Sequence, residues 1–246
     1  MTTTATEHKE EKKPTPTPLP RQYVSFSCFK VEPAWRRLPE SEKQKGKEEF
    51  AAVVKNYVQE KKCQILPYTT MGMRPEVEMM LWIISSDLDV IQKLASDLAK
   101  TGLGTYMQHP YSFLAMTKRS IYLDRIDPEH QESRVYIKPG KHKYFFVYPF
   151  LKKREWYLLS QPERQLMMDE HIRIGNKYPS VKLNTTYSFG LDDQEFVVAF
   201  ETDHPADFLD LVQELRESQG SLYTLRDTPI LTCIFKEIQE ALDSLG

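Results

Sequence analysis

Glu195-Phe196-Val197-Val198-Ala199-Phe200-Glu201-Thr202-Asp203-His204-Pro205-Ala206-Asp207-Phe208-Leu209 reads as a β-strand running into the start of a helix. The chain has already read this way once. Val77-Glu78-Met79-Met80-Leu81-Trp82-Ile83-Ile84-Ser85-Ser86-Asp87-Leu88-Asp89-Val90-Ile91 also moves from an apolar run through a short polar cluster into helical spacing. β-Branched and aromatic residues favour the strand, and the polar cluster supplies the helix start. Two such units so far apart point to an internal repeat.

Working outward from each unit gives the same order of elements twice. In the first half, residues 23–29 alternate as a half-buried strand, and 40–58 form a helix with Phe50, Val53, Val54 and Tyr57 on one face. Residues 65–70 and 77–84 flank a Gly72/Pro75 turn as a hairpin. A helix follows at 88–100, striped by Leu88, Ile91, Leu94, Ala95 and Leu98, and then a strand at 111–116. In the second half the order is strand 144–150, helix 162–178 and a hairpin of 182–189 with 195–200 around Gly190-Leu191-Asp192-Asp193. Helix 206–218, a strand over 223–235 broken at Pro229 and a short terminal helix complete it. The expected fold class is α+β: two ferredoxin-like βαββαβ repeats whose antiparallel sheets pack by their bare faces into one barrel-like, dimeric α+β body. The expected boundaries are a Pro/Thr-rich disordered tail at 1–20, an N-terminal half at 21–126, a linker at 127–141 and a C-terminal half at 142–246. Two independent domains joined by that linker are the alternative arrangement.

Composition narrows the classes of function. The chain has 246 residues, 40% hydrophobic and 28% charged, with a net charge of −2. That suits a globular protein with a core and argues against nucleic acid or a polybasic membrane surface as the main partner. Cys28, Cys63 and Cys233 are scattered and odd in number, which makes neither a disulfide framework nor a zinc site. The first residues carry charge, threonine and repeated proline with no apolar h-region, and no apolar run is long enough to span a bilayer. A cytoplasmic location is therefore expected. Phosphate-loop, dinucleotide, zincin and nucleophile-elbow patterns are all missing.

One stretch of the second half gathers reactive groups. Phe145-Phe146-Val147-Tyr148-Pro149-Phe150-Leu151-Lys152-Lys153-Arg154-Glu155-Trp156-Tyr157 precedes Ser160-Gln161-Pro162-Glu163 and then Met167-Met168-Asp169-Glu170-His171-Ile172-Arg173-Ile174-Gly175. Ser160 and Glu163 match a capping box, with Pro162 in the first turn. Met167 and Ile174 lie four before and three after His171, which turns the imidazole along an apolar stripe. A lone histidine there is ordinarily a satisfied core residue; it is also the neutral ligand that a haem iron takes on its proximal side. Tyr148 shares a strand face with Phe146 and Phe150, as a sheet aromatic or as an oxidisable phenol. Lys152, Lys153 and Arg154 close the strand, either solvated or as cations for carboxylates, and Arg134 adds a guanidinium suited to bidentate contact. Imidazole, phenol and cations together suit an anionic porphyrin. His8, His109, His142 and His204 stand in the tail or in turns and read as solvated, and Asp192-Asp193 reads as a hairpin turn.

These residues resemble the chlorite dismutase-like superfamily of haem proteins. The resemblance rests on the doubled ferredoxin-like pattern with Val147-Tyr148-Pro149-Phe150, Glu155-Trp156-Tyr157-Leu158-Leu159, Glu163-Arg164, Glu170-His171 and Ser188-Phe189-Gly190-Leu191-Asp192-Asp193. Within that group the chain looks most like the peroxide-dependent coproheme decarboxylases, which complete haem b synthesis in many bacteria. The resemblance runs from about residue 21 to the C-terminus and is strongest over 144–200. It implies that His171 is the iron ligand, that Tyr148 becomes the radical that attacks a propionate, and that Lys152 and Arg134 lie near the reacting propionate. Tyr122 and Ser221 are implied as hydroxyl partners of the other propionates. Leu183 falls where chlorite dismutases carry an arginine and one decarboxylase branch a glutamine; an apolar side chain there disfavours oxychlorine chemistry. His130 takes the place of the base that actinobacterial-type decarboxylases use, and Gln219 that of the carboxylate partner of the proximal histidine.

The implied reaction is oxidative decarboxylation of two propionates of iron coproporphyrin III to vinyls, driven by hydrogen peroxide. Haem iron is the cofactor, coproheme being both substrate and cofactor and haem b the product. The implied partners are coproheme, hydrogen peroxide, further copies of the chain in a homopentamer and coproporphyrin ferrochelatase, with no nucleic acid and no membrane span. Two alternatives use the same residues: a haem peroxidase or chlorite dismutase-like enzyme, and a non-catalytic haem-binding protein in which Tyr148 only packs.

Overall fold

Alternation of apolar residues sets the strands, and the computed structural model describes residues 21–122 and 136–246. The first half contains β1 (Tyr23–Val31), α1 (Glu40–Gln59), β2 (Gln64–Thr69), β3 (Met79–Ser85), α2 (Leu88–Ala99), β4 (Met107–Gln108) and β5 (Ser112–Met116). The second contains β6 (Tyr144–Lys152), α3 (Arg154–Leu158), α4 (Gln161–Gly175), β7 (Lys182–Tyr187), β8 (Phe196–Thr202) and α5 (Pro205–Glu217). β9 (Thr224–Arg226), β10 (Leu231–Phe235) and α6 (Ile238–Asp243) close the chain. The break expected at Pro229 separates β9 from β10, with a cis peptide at Thr228-Pro229. Helix α3 departs from the sequence reading: the basic run after β6 reads as a strand end, and five residues are too few to show helical periodicity.

Among the described residues, the order β2-β3-β1-β5 in the first half matches β7-β8-β6-β10 in the second. Both place the fourth strand of the repeat beside the first and the first beside the third, the ferredoxin-like arrangement. The halves meet edge to edge. Thr69 and Tyr68 of β2 pair with Ile234 and Phe235 of β10, and Met116 of β5 pairs with Tyr187 of β7. Because β10 also pairs with β6, the ladder returns on itself and the bare faces turn inward around one core. Phe26, Trp82, Phe145, Val147, Val197, Ala199, Leu231 and Cys233 fill it. Trp82 and Phe145 ring centroids are 4.8 Å apart, and those of Tyr68 and Phe145 are 4.7 Å apart. Each fully buried aromatic of this kind contributes roughly 2–3 kcal/mol.

Local chemistry fits this path. Pro149 donates no hydrogen bond, and it lies where β6 leaves β10 at Val147 and meets β9 at Leu151. Gly190 takes φ +73° in the turn between β7 and β8, a conformation that favours glycine. The helix layers differ sharply between the halves. Over the first half, α1, α2 and α6 enclose a cluster of twenty buried apolar residues that includes Phe50, Leu81, Leu94 and Leu242. Over the second half, among the described residues, the matching cluster holds five: Phe146, Ile174, Phe200, Phe208 and Leu211. The C-terminal helices therefore cover their sheet incompletely. Among the described residues, no helix is long and apolar enough to cross a membrane.

Candidate active site

The incompletely covered face belongs to β6, β7 and β8. Cross-strand register places Phe146, Phe200 and Leu183 in one row and Tyr148, Val198 and Thr185 in the next. Leu183 is 49% exposed, and Thr185 is exposed at mid-strand, so this part of the sheet is bare. Tyr148 is half-buried and stacks on Phe200 with centroids 6.0 Å apart. Burial first, and then the charge of Asp227, push its phenol up to about 12, with Arg216 acting in the opposite direction. The phenol stays protonated at neutral pH.

Helix α4 faces this shelf. Its start is the expected capping box: the Ser160 hydroxyl accepts from the Glu163 N–H, and the Glu163 carboxylate accepts from the Ser160 N–H at 2.8 Å. Along the helix only Gln165 and Ile174 are buried, and Ile174 shares its apolar cluster with Tyr148. His171, one turn before Ile174, is half-buried. Burial holds its pKa down to about 4, with a further push from the positive Lys152. Among the described residues the His142 Nδ1 to Asp203 Oδ2 contact, at 2.8 Å, is a histidine ring hydrogen bond, whereas the His171 ring makes none. Its ring nitrogens are thus neutral and available as ligands.

Lys152 ends β6 on the same side. Its ammonium lies over the Trp156 ring at 4.2 Å and donates to the Gly220 carbonyl at 3.1 Å. Burial draws its pKa down to about 8, against the pull of Glu195. Gly220 belongs to a 3-10 turn (Gln219–Tyr223), and the Gln219 N–H donates to Glu170 Oε2 at 3.1 Å. This turn links Lys152 to the residue preceding His171. Gln219 thus reaches the α4 carboxylate through its backbone.

The other expected residues fall as follows. The Tyr122 carbonyl accepts from Gln165 Nε2 at 3.2 Å, which sets Tyr122 beside α4. The Ser221 hydroxyl lies 2.7 Å from the Ser218 carbonyl and 2.8 Å from that of Arg216, so its proton is engaged by backbone. His130 and Arg134 lie outside the described residues. Asp192 ties the β7–β8 turn to β5, accepting from the Leu114 N–H at 2.7 Å. Sequence reading quoted Trp156 and Tyr157 without giving them a role and missed Glu195; Trp156 lies under the Lys152 ammonium, and Glu195 accepts from the Lys152 N–H and the Tyr157 hydroxyl. A carboxylate just before a strand carries no pattern that sets it apart from a turn residue. A separate cavity of about 540 Å³, lined among the described residues by Arg74, Tyr111, Arg226, Thr228, Pro229 and Ile230, contains none of the expected site residues that are described.

A family profile described as chlorite dismutase matches residues 43–236. The chain belongs to the chlorite dismutase family. Among curated relatives of this chlorite dismutase family member is the coproheme decarboxylase of Mycolicibacterium smegmatis (strain ATCC 700084 / mc(2)155). It is 30% identical over 214 residues, covering 86% of this chain and 88% of that protein. Among solved structures, a mutant chlorite dismutase from Candidatus Nitrospira defluvii superposes with a TM-score of 0.83 at 25% identity, over 91% of this chain and 95% of that one. A heme-binding protein from Thermus thermophilus reaches 0.81 at 22% identity, over 92% and 95%, a likeness of fold alone. The residues present fit a haem group. Exposed Leu183 and half-buried Tyr148 lie on the sheet that α4 packs against, α4 carries a neutral imidazole with no hydrogen bond among the described residues, and the half-buried Lys152 ammonium lies close enough to act on it.

Proposed function

We propose that the protein is a coproheme decarboxylase, converting two propionates of iron coproporphyrin III to vinyls with hydrogen peroxide to give haem b. The observation that carries this reading is His171, a half-buried imidazole kept neutral by burial and the nearby Lys152, on the helix whose Ile174 shares an apolar cluster with Tyr148. The similarity to the Mycolicibacterium smegmatis coproheme decarboxylase supports it. His171 is the residue to hold the iron, and the bound iron porphyrin with peroxide supplies the oxidising equivalent. Tyr148 gives up an electron and its phenolic proton, then takes a hydrogen atom from a propionate β-carbon. The propionate loses CO2 and a further electron and becomes a vinyl; per propionate, one hydrogen peroxide is reduced to two waters. Lys152 pairs with the reacting carboxylate, and Arg134 and Tyr122 with the remaining ones, because buried carboxylates require partners; Ser221 joins them once its hydroxyl turns away from the Arg216 and Ser218 carbonyls. His130 is the base for the phenolic proton. Leu183 would give the bound porphyrin an apolar neighbour, which would favour this chemistry over chlorite dismutation. The working form is a cytoplasmic homopentamer supplied by coproporphyrin ferrochelatase.

The test is the mass of the porphyrin recovered after peroxide is added to protein loaded with ferric coproporphyrin III. The wild type should yield a species lighter by two CO2 and four hydrogens. Tyr148→Phe should bind the same porphyrin and return it unchanged. Full conversion by that variant would remove Tyr148 from the reaction, and no conversion by the wild type would sink the assignment.

A further inference from the structure

We infer that Glu195 is the positioning residue for Lys152, fixing the strand end from which the ammonium reaches toward the substrate. The inference rests on the reading above, in which Lys152 meets the reacting propionate. Glu195 is only 8% exposed, and a carboxylate that deep needs partners. Its Oε2 accepts from the Lys152 N–H at 2.8 Å and from the Tyr157 hydroxyl at 2.6 Å, while the Arg154 guanidinium stands 3.8 Å from Oε1. The Lys152 N–H is free for this bond because the β6–β9 register shifts between Leu151 and Lys152. One residue on, the Lys153 N–H donates to the Tyr223 carbonyl at 2.8 Å. The backbone at the end of β6 is therefore held by two bonds, one from the C-terminal turn and one from Glu195. From that anchor the Lys152 side chain crosses the Trp156 ring to Gly220. Tyr157 in turn packs edge-on against Phe189, 5.9 Å between centroids, so the same carboxylate docks α3 onto the β7–β8 turn.

Of the described residues assigned to substrate or iron, Glu195 bonds to Lys152, and through its backbone N–H, so it acts by placing that residue. The sharp test is a double-mutant cycle of Glu195→Ala and Lys152→Ala, read as the rate of CO2 release from bound coproheme with peroxide. Glu195→Ala should lower kcat by about ten- to a hundredfold with KM little changed, as expected for a misplaced group. Glu195→Gln, which keeps an oxygen for the Lys152 N–H, should recover most of that loss. In the Lys152→Ala background, Glu195→Ala should cost nothing further. An undiminished loss in that background would overturn the inference, as would an unchanged rate per folded molecule. Should Glu195→Ala not fold, Glu195→Asp, which withdraws the charge by one methylene, carries the same cycle. If the wild type releases no CO2, the decarboxylase reading falls and the cycle is read on the dissociation constant for ferric coproporphyrin III. There too the two substitutions must be non-additive, and simple additivity would refute the positioning role.

Discussion

Burial keeps His171 a neutral imidazole, and that state has a consequence for stability. Its folded pKa of about 4 lies below the ordinary value of 6.5, so between those values the unfolded chain binds more protons than the folded one. The contribution is intact above about 6.5 and is lost as pH falls toward 4. Metal-free wild-type protein should therefore lose more thermal stability between pH 7 and pH 5 than His171→Gln, which has nothing to titrate in that range. Equal losses would mean that the ring is solvated in the folded protein. Residue-level chemistry was unevenly legible. The capping box and the apolar neighbours of His171 were plain in the sequence because both are set by local spacing. The Glu195 bonds were not, since they join residues 43 and 38 positions apart.

At the scale of elements, α4 contributes the ligand yet buries little of itself. Its counterpart in the repeat, α1, seats Phe50, Ala51, Val54 and Tyr57 on the first half, whereas α4 buries Gln165 and Ile174. A helix with so little tertiary packing depends on its own ends. Ser160→Ala should therefore cost about 1 kcal/mol in urea unfolding of the metal-free protein. A loss well below that would show that contacts with α5 and the 219–223 turn hold α4 without the cap. The helices and hairpins were readable because their apolar periods persist over many residues. Helix α3 was not, because Arg154–Leu158 is shorter than two turns and its basic start resembles a solvated strand end.

For the whole molecule, the repeat was readable and the way its halves join was not. Face-to-face packing follows from two sheets each covered on one side. The edge seams rest on the pairing of Tyr68 and Thr69 with β10 and on the single pair of Met116 with Tyr187, and such short pairings leave no sequence pattern. Those seams turn Phe26, Trp82 and Phe145 into a common interior and leave both helix layers outside. Among the described residues the repeat has thus diverged in its outer layers, packed tight over the first half and more open over the second, where α4 carries His171. The central claim is that this opening takes an iron porphyrin through His171. Titrating ferric coproporphyrin III into wild-type protein and His171→Ala, followed by the Soret band, tests it most directly. The account predicts a saturable shift at one porphyrin per chain in the wild type and its loss in the variant; an identical shift in both would contradict it.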